Sequence, residues 1–327
     1  MQTLQPGTRL RDRYRIAELV GTISPVETLY RIDDERFSTV WAMREIDASR
    51  VSGDALERAA ASFERESAFY EGLRHQGMAQ VVDHWLDRDA GRAYVVSEWA
   101  DGGSLSDRIR KHPQGLPLDQ VVDLGSKTLD VLYFFHTGAE HTPYRVLSPS
   151  TVWLTSDDEI KLVDFALATS FDPKRAAGNA YRFGQPGYVS PEHAAGGPPD
   201  LAMDTFAAGA LLHYMATGRD PALHEGEGFP PPSELRKEVT ASLSDVIMKA
   251  LNKDPKQRYH DIGGFKHDLM AVAEEFAPDE SPSAGATPST RTFQAAAPAE
   301  TKKGCGGAAL LVLALLLAPI VIYLANM

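Results

Sequence analysis

Val40, Ala42, Arg44 and Ile46 alternate with other positions and share one face of a period-2 strand. A longer period follows. Leu56, Ala59, Phe63, Glu66, Tyr70 and Leu73 recur at steps of three and four, which predicts a helix over about 55–73 with one inward stripe. Glu66 is the charged member of that stripe, and a carboxylate facing a core needs a cationic partner. RAYVVSEW (92–99) reads as a strand, closed by a turn at Gly102 and Gly103. Residues 104–276 read as mainly helical. A helix over about 118–136 starts after Pro117 and ends near Gly138. TVWLT and EIKLVDF form a strand pair around a polar turn at Ser156–Asp158. The run Phe206–Met215 is apolar nearly all round, as a fully buried helix is, and two amphipathic helices occupy about 243–251 and 261–275. No internal repeat is visible.

The pattern changes character near the C-terminus. Residues 277–303 hold 18 Ala, Pro, Ser or Thr out of 27 and one large apolar side chain, Phe293. Such a segment cannot bury enough surface to offset its ordering entropy, so it reads as a flexible linker. Its Ser and Thr residues around Thr287–Thr292 are read as plain linker rather than phosphorylation sites. Residues 304–327 carry no charge, and 307–325 are apolar without a polar stripe. About 20 such residues span a hydrocarbon core of ~30 Å, so one transmembrane anchor is expected. Lys302 and Lys303 precede it, which places the bulk of the chain in the cytoplasm. No apolar stretch near Met1 suggests a cleaved signal peptide.

Composition narrows the classes. The 327 residues suggest about two domains, and 43% hydrophobic with 24% charged is ordinary for a globular chain. The net charge of −12 argues against nucleic-acid binding. The last 51 residues are net neutral, so the whole −12 belongs to 1–276. The single cysteine, Cys305, excludes a disulfide framework and a cysteine-built zinc site, and it is read as a bystander rather than an acylation site.

The order of segments resembles a protein kinase, specifically the bacterial-type serine/threonine kinases. The match covers residues 14–275. FERES in helix 55–73 resembles the family's helix C, with Glu66 as its ion-pairing glutamate. YVVSEWADGGSL resembles the hinge, with Ser97 as gatekeeper, and LVDFA resembles the DFG strand, with Asp164 as the metal-binding aspartate. GYVSPE resembles the end of the activation segment. MDTFAAGALLHYMATGRDP resembles the buried helix F, with Asp204 at its start. In ALNKDPKQRYHDI, Arg258 is the arginine that would pair with Glu192. The resemblance implies an α+β, two-lobed kinase-like fold: a β-rich lobe at 14–100 and a helical lobe at 101–276. The 277–303 linker and the 304–327 anchor follow.

The same resemblance implies a chemistry that individual residues do not support. The loop from Gly21 reads GTISPVETLY and keeps only its first glycine, while Pro25 removes an N–H donor. The strand-lysine position is Arg44, read as structural through an Arg44–Glu66 pair. In YRVLSPSTVWL the catalytic aspartate is replaced by Val146, the lysine by Ser148 and the metal-binding asparagine by Thr151. Valine neither accepts a proton nor orients a hydroxyl. Asp157 and Asp158 are read as solvated turn residues rather than replacements. Ala166 replaces the DFG glycine, and Gln185 the P+1 threonine. Trp153 stands where the family places a leucine beneath the adenine, and it either fills the pocket or points elsewhere into the helical core. Val20, Gly21, Ala42, Arg44, Glu66, Ser97, Glu98, Ala100 and Trp153 occupy the nucleotide-pocket positions.

Arg44, Glu66, Arg145, Glu192, Asp204 and Arg258 are the structural positions. Arg145 faces an acidic neighbour or a phosphorylated Thr169, Ser170 or Tyr181, the former preferred. ATP and Mg²⁺ are the ligands the resemblance implies, with Asp164 as the metal position. The altered residues argue against both, so no cofactor is assigned. The expectation is a membrane-anchored pseudokinase that binds protein partners, such as an active kinase or a membrane complex. The alternatives are an active serine/threonine kinase and a non-catalytic nucleotide switch.

Overall fold

The structure is a computed structural model, and it describes residues 3–178, 183–224 and 226–276. The linker and the apolar segment expected at 277–303 and 304–327, and Tyr181, lie outside the described residues. The described residues form one compact unit. Among the described residues no helix is long and apolar enough to cross a membrane.

The N-terminal half is a six-stranded antiparallel sheet. Its strands are β1 (Arg9–Leu10), β2 (Tyr14–Ser24), β3 (Glu27–Asp34), β4 (Thr39–Asp47), β5 (Val81–Asp87) and β6 (Arg92–Glu98), in the order β1-β2-β3-β4-β6-β5. Alternation sorts the side chains onto two faces. Tyr14, Ile16, Tyr30, Ile32, Met43, Tyr94 and Val96 bury one face as a small separate core. Ile46, Ala93 and Val95 lie in the main core with the inward stripe of helix α1 (Gly53–Gly72). The sheet begins earlier than the sequence boundary at residue 14, because β1 pairs with β2 and the Leu4 amide donates to Tyr30 Oη at 2.9 Å. That addition rests on backbone pairing, which leaves little trace in the pattern of apolar residues.

The C-terminal half is helical. A short second sheet, β7 (Gly103–Ser104), β8 (Val152–Leu154) and β9 (Ile160–Leu162), sits at its upper edge. The helices are α2 (Leu105–Arg110), α3 (Leu118–Thr137), α4 (Pro173–Ala176), α5 (Pro191–Ala194), α6 (Leu201–Thr217), α7 (Pro232–Leu235), α8 (Ala241–Ala250) and α9 (Ile262–Ala271). The helix expected to run to residue 275 ends at Ala271 and continues as a 3-10 turn from Ala273 to Phe276. Every residue from Met203 to Ala216 of α6 is buried, so α6 is the axle of this half. Asp200 starts it by accepting the Met203 amide, and Gly218 ends it at φ 71°. A side chain at Gly218 would meet Pro113 O at 2.3 Å, so that stop requires glycine.

Polar groups fix the core from within. Asp204 of α6 accepts the Tyr144 and Arg145 amides at 2.6 and 2.8 Å and lies 2.8 Å from His136 Nε2. Arg258 donates both Nη groups to Glu192 at 2.7 Å each, and also bonds the Asn252 and Ala202 carbonyls. Its side chain is wholly buried, so removing it would leave Glu192 and two carbonyls without their donor. Arg258→Ala is therefore expected to cost about 3–5 kcal/mol in urea denaturation. Arg258→Lys, which keeps the charge but not the fork, should fall between. A loss under about 1 kcal/mol for Arg258→Ala would place the pair among the weak surface pairs.

Candidate active site

Arg44 points from β4 toward the helical half, and its partner comes from the neighbouring strand. Leu29 stands opposite Arg44 and Glu27 opposite Ile46, so Glu27 is the same-face diagonal neighbour of Arg44. Arg44 Nη1 donates to Glu27 Oε1 at 2.6 Å and lies 3.8 Å from Asp164 Oδ2. The side chains of Arg44 and Glu27 are only 8% and 6% exposed. Burial alone would lower the guanidinium, but the charges of Glu27 and Asp164 outweigh it and hold Arg44 above its ordinary range. Burial pushes the Glu27 carboxyl above its ordinary range against the pull of Arg44.

The pair expected between Arg44 and Glu66 does not form. Glu66 accepts from Arg175, at the end of α4, and from Ser62 one turn back, and it lies 3.6 Å from Arg145 Nη2. The reason is geometric. Glu27 is fixed to the strand adjoining Arg44, whereas α1 presents Glu66 to the segment after Asp164. Arg145 also donates to Tyr70 Oη at 3.3 Å, and its guanidinium lies 4.8 Å from the centre of the Phe183 ring.

The loop between α3 and β8 is firmly held and chemically quiet. Arg145 has φ 77°, a left-handed conformation that costs a non-glycine residue about 1–2 kcal/mol, and the Asp204 bonds hold it there. Val146 is 8% exposed and belongs to the apolar core. The Thr151 hydroxyl accepts the Ser148 amide at 3.0 Å and lies 3.1 Å from Val146 O and 3.0 Å from Ser148 O. Ser148 Oγ meets Ser150 Oγ at 2.9 Å, and Ser150 donates to Gln185 at 3.3 Å. Asp164 accepts the Ala166 amide at 2.8 Å, Ala166 adopts φ 58°, and Phe165 stacks on Tyr70 with ring centres 4.5 Å apart. This donor set does not suit Mg²⁺. Thr151 is engaged within its own loop, and Arg44 approaches the one remaining carboxylate. Among the described residues no group of three His, Cys, Asp or Glu could hold a metal.

Above this loop, Ala42, Arg44, Ser97, Glu98, Ala100 and Trp153 line one cavity together with Leu29, Trp99 and Val163. Its volume is about 10 Å³, roughly one water. Trp153 meets Trp99 edge-on with ring centres 5.7 Å apart and donates its indole N–H to Ser150 O at 3.2 Å. Glu98 is tied to Lys161 at 2.8 Å. Val20, Gly21 and Glu66 do not line the cavity. β2 is bulged between Leu19 and Gly21, Val20 is 37% exposed, and Glu66 turns to Arg175. The expected phosphate loop is a tight hairpin turn at Pro25–Val26, closed by the Ser24–Glu27 pairing.

The protein kinase domain family matches residues 20–270, more than half of the chain. The chain belongs to the protein kinase family. It is 26% identical over 285 residues to a probable serine/threonine-protein kinase of Clostridium acetobutylicum, covering 84% of this chain and 42% of that protein. It is 28% identical over 290 residues to serine/threonine-protein kinase PknB of Mycobacterium leprae, covering 84% and 45%. With serine/threonine-protein kinase Pkn1 of Myxococcus xanthus the identity is 30% over 232 residues, covering 65% and 32%. The chain therefore spans less than half the length of these bacterial relatives.

Within the matched range, Val146, Ser148 and Thr151 lie between α3 and β8, Asp164 follows β9, and Arg44 lies on β4. Reasoning from sequence missed Glu27, Trp99 and Arg175. Glu27 carried a readable signal, since it lies two residues from Leu29 on a strand that must pair with β4. Arg175 carried none, because its contact with Glu66 is 109 residues away in sequence and follows no repeating pattern. Arg44→Ala would leave Glu27 and Asp164 without their cation, and it is expected to lose about 3–5 kcal/mol of stability. Glu27→Gln should lose much less, because burial already opposes the charge of Glu27 and Asp164 still faces Arg44. Chemical denaturation of both variants checks this. Equal losses would contradict the asymmetry.

Proposed function

We propose that the chain is a pseudokinase, a kinase fold that works as a regulatory or scaffolding protein-binding module rather than a phosphotransferase. The observation that carries this reading is the hinge cavity of about 10 Å³. Sites that take a nucleotide-sized ligand offer roughly 300–1,000 Å³. Two further features support it. The catalytic-base position is a buried valine, and loss of a general base alone removes about 10²–10⁴ in rate. The strand cation that would meet phosphates already holds Glu27.

The membrane anchor is part of the proposal. It rests on the uncharged apolar run 304–327 after Lys302 and Lys303. A single anchor with a linker raises local concentration near membrane partners, such as an active kinase or a membrane complex. The acidic 1–276 unit would be repelled by anionic headgroups and held where a partner reaches it.

A second reading, serine/threonine phosphotransfer, is favoured by the names of the relatives and by Asp164, whose side chain keeps 20% exposure. It requires Trp153 and Glu27 to move aside. Full-length protein incubated with labelled ATP and Mg²⁺ or Mn²⁺ is expected to incorporate no label, on itself or on a generic substrate, above an Asp164→Ala control. Incorporation that Asp164→Ala abolishes would overturn the pseudokinase reading. Deleting 304–327 is expected to move the protein from the membrane pellet to the supernatant, and a truncated chain that stays in the pellet would overturn the anchor.

A further inference from the structure

A groove of about 340 Å³ lies where α1 and α3 end, apart from the hinge cavity. Ala68, Phe69 and Gly72 of α1, with Leu73 just beyond it, form one wall. Ala68 and Gly72, like Phe69 and Leu73, are four apart, so each pair shares one side of the helix. Phe134 and Phe135 form the α3 wall, and the chain after α3 brings Glu140 and Thr142 to the mouth. Phe135 is buried, but Phe69, Leu73 and Phe134 are only half-buried. Ala68, Gly72, Ala139 and Glu140 are exposed, so the groove is open at the surface rather than enclosed.

Gly72 leaves this space free. A Cβ there would meet nothing within 4 Å, and its backbone is not in the left-handed region. Neither a turn nor close packing requires glycine at this position, although glycine is a poor helix former. A side chain at Gly72 would enter the groove.

The groove is also electrically one-sided. Among the described residues Glu140 is the one charged side chain in its lining, and it has no ion-pair partner. Both helices end here, which adds the negative ends of two dipoles. The last turn of α1 holds no basic residue, and that of α3 only His136, whose Nε2 lies 2.8 Å from Asp204. Arg74 donates to the Glu71 and Leu73 carbonyls, and His141 Nδ1 lies 2.7 Å from His136 O. Those contacts answer backbone carbonyls and leave the Glu140 carboxylate unanswered.

Apolar walls beside an unanswered carboxylate match a large apolar side chain followed by a cation. Small-ligand sites bury most of their ligand, whereas this groove is open and its volume lies at the lower end of their range. A side chain presented on another surface therefore fits it better than a free molecule. We propose that this groove docks a partner protein through one phenylalanine or leucine side chain, next to a lysine or arginine that faces Glu140. The proposal goes beyond the pseudokinase reading, because it holds whether or not the chain transfers phosphate, and its test reads no phosphotransfer.

The test uses the full-length chain in non-ionic detergent, with detergent alone as the blank. The probe is a short alanine–glycine peptide carrying one phenylalanine followed by one arginine, titrated by saturation-transfer NMR. Two control peptides replace the phenylalanine by alanine or the arginine by glutamate. The probe is expected to saturate and to bind at least about tenfold tighter than either control. Glu140→Lys should reverse the preference, so that the glutamate peptide binds tighter than the probe. Gly72→Leu should weaken the probe at least about tenfold with no change in melting temperature, since the added side chain meets no neighbour. Gly72→Ala, too small to fill the groove, should bind the probe as the unaltered chain does. Equal binding of the three peptides, or no saturable binding up to a few millimolar, would overturn the proposal. So would full affinity in a folded Gly72→Leu variant or an unreversed preference in Glu140→Lys. Competition by phenethylamine as strong as by unlabelled probe would assign the groove to a free amine and overturn the partner claim.

Discussion

A guanidinium taken out of water must be answered by a carboxylate, or the fold that buries it fails. Arg44 is such a group, and much of this site follows from how it is answered. The nearest rigid carboxylate is Glu27, one strand away in the same sheet, and Asp164 approaches from the helical half. Because Glu27 answers Arg44, Glu66 is free to take Arg175 and Arg145. Helix α1 is thereby tied to the segment after Asp164 rather than to β4. Two carboxylates thus flank the one guanidinium of Arg44.

A second set of contacts makes the fold independent of that chemistry. Asp204 gathers the Tyr144 and Arg145 amides and His136, and Arg258 clasps Glu192. These bonds hold the loop between α3 and β8, in which Val146 is buried and Thr151 bonds within the loop.

The sequence made the elements legible where packing is periodic. The stripe from Leu56 to Leu73 lies on α1, and the apolar run Phe206–Met215 lies inside α6, because a buried face imposes its period on the chain. The Arg258–Glu192 contact followed from motif order alone. What stayed illegible was partner choice among charges. The sequence reading paired Arg44 with Glu66, and residue types alone do not say which carboxylate is nearer. Sheet register decides it, through the pairing of Leu29 with Arg44. The cluster around Arg175 was less legible still, since it joins α1 to the four-residue α4 with no repeating pattern.

On the proposed reading, the small hinge cavity and the answered arginine leave the central site closed to nucleotide. Trp153 and Trp99 meet edge-on beside that cavity, and Glu27 holds Arg44. Titration calorimetry of the full-length chain with ATP and Mg²⁺ tests this most directly. No binding heat is expected up to millimolar nucleotide. Saturable one-to-one binding with a Kd well below 1 mM, about −4 kcal/mol or stronger, would contradict the account.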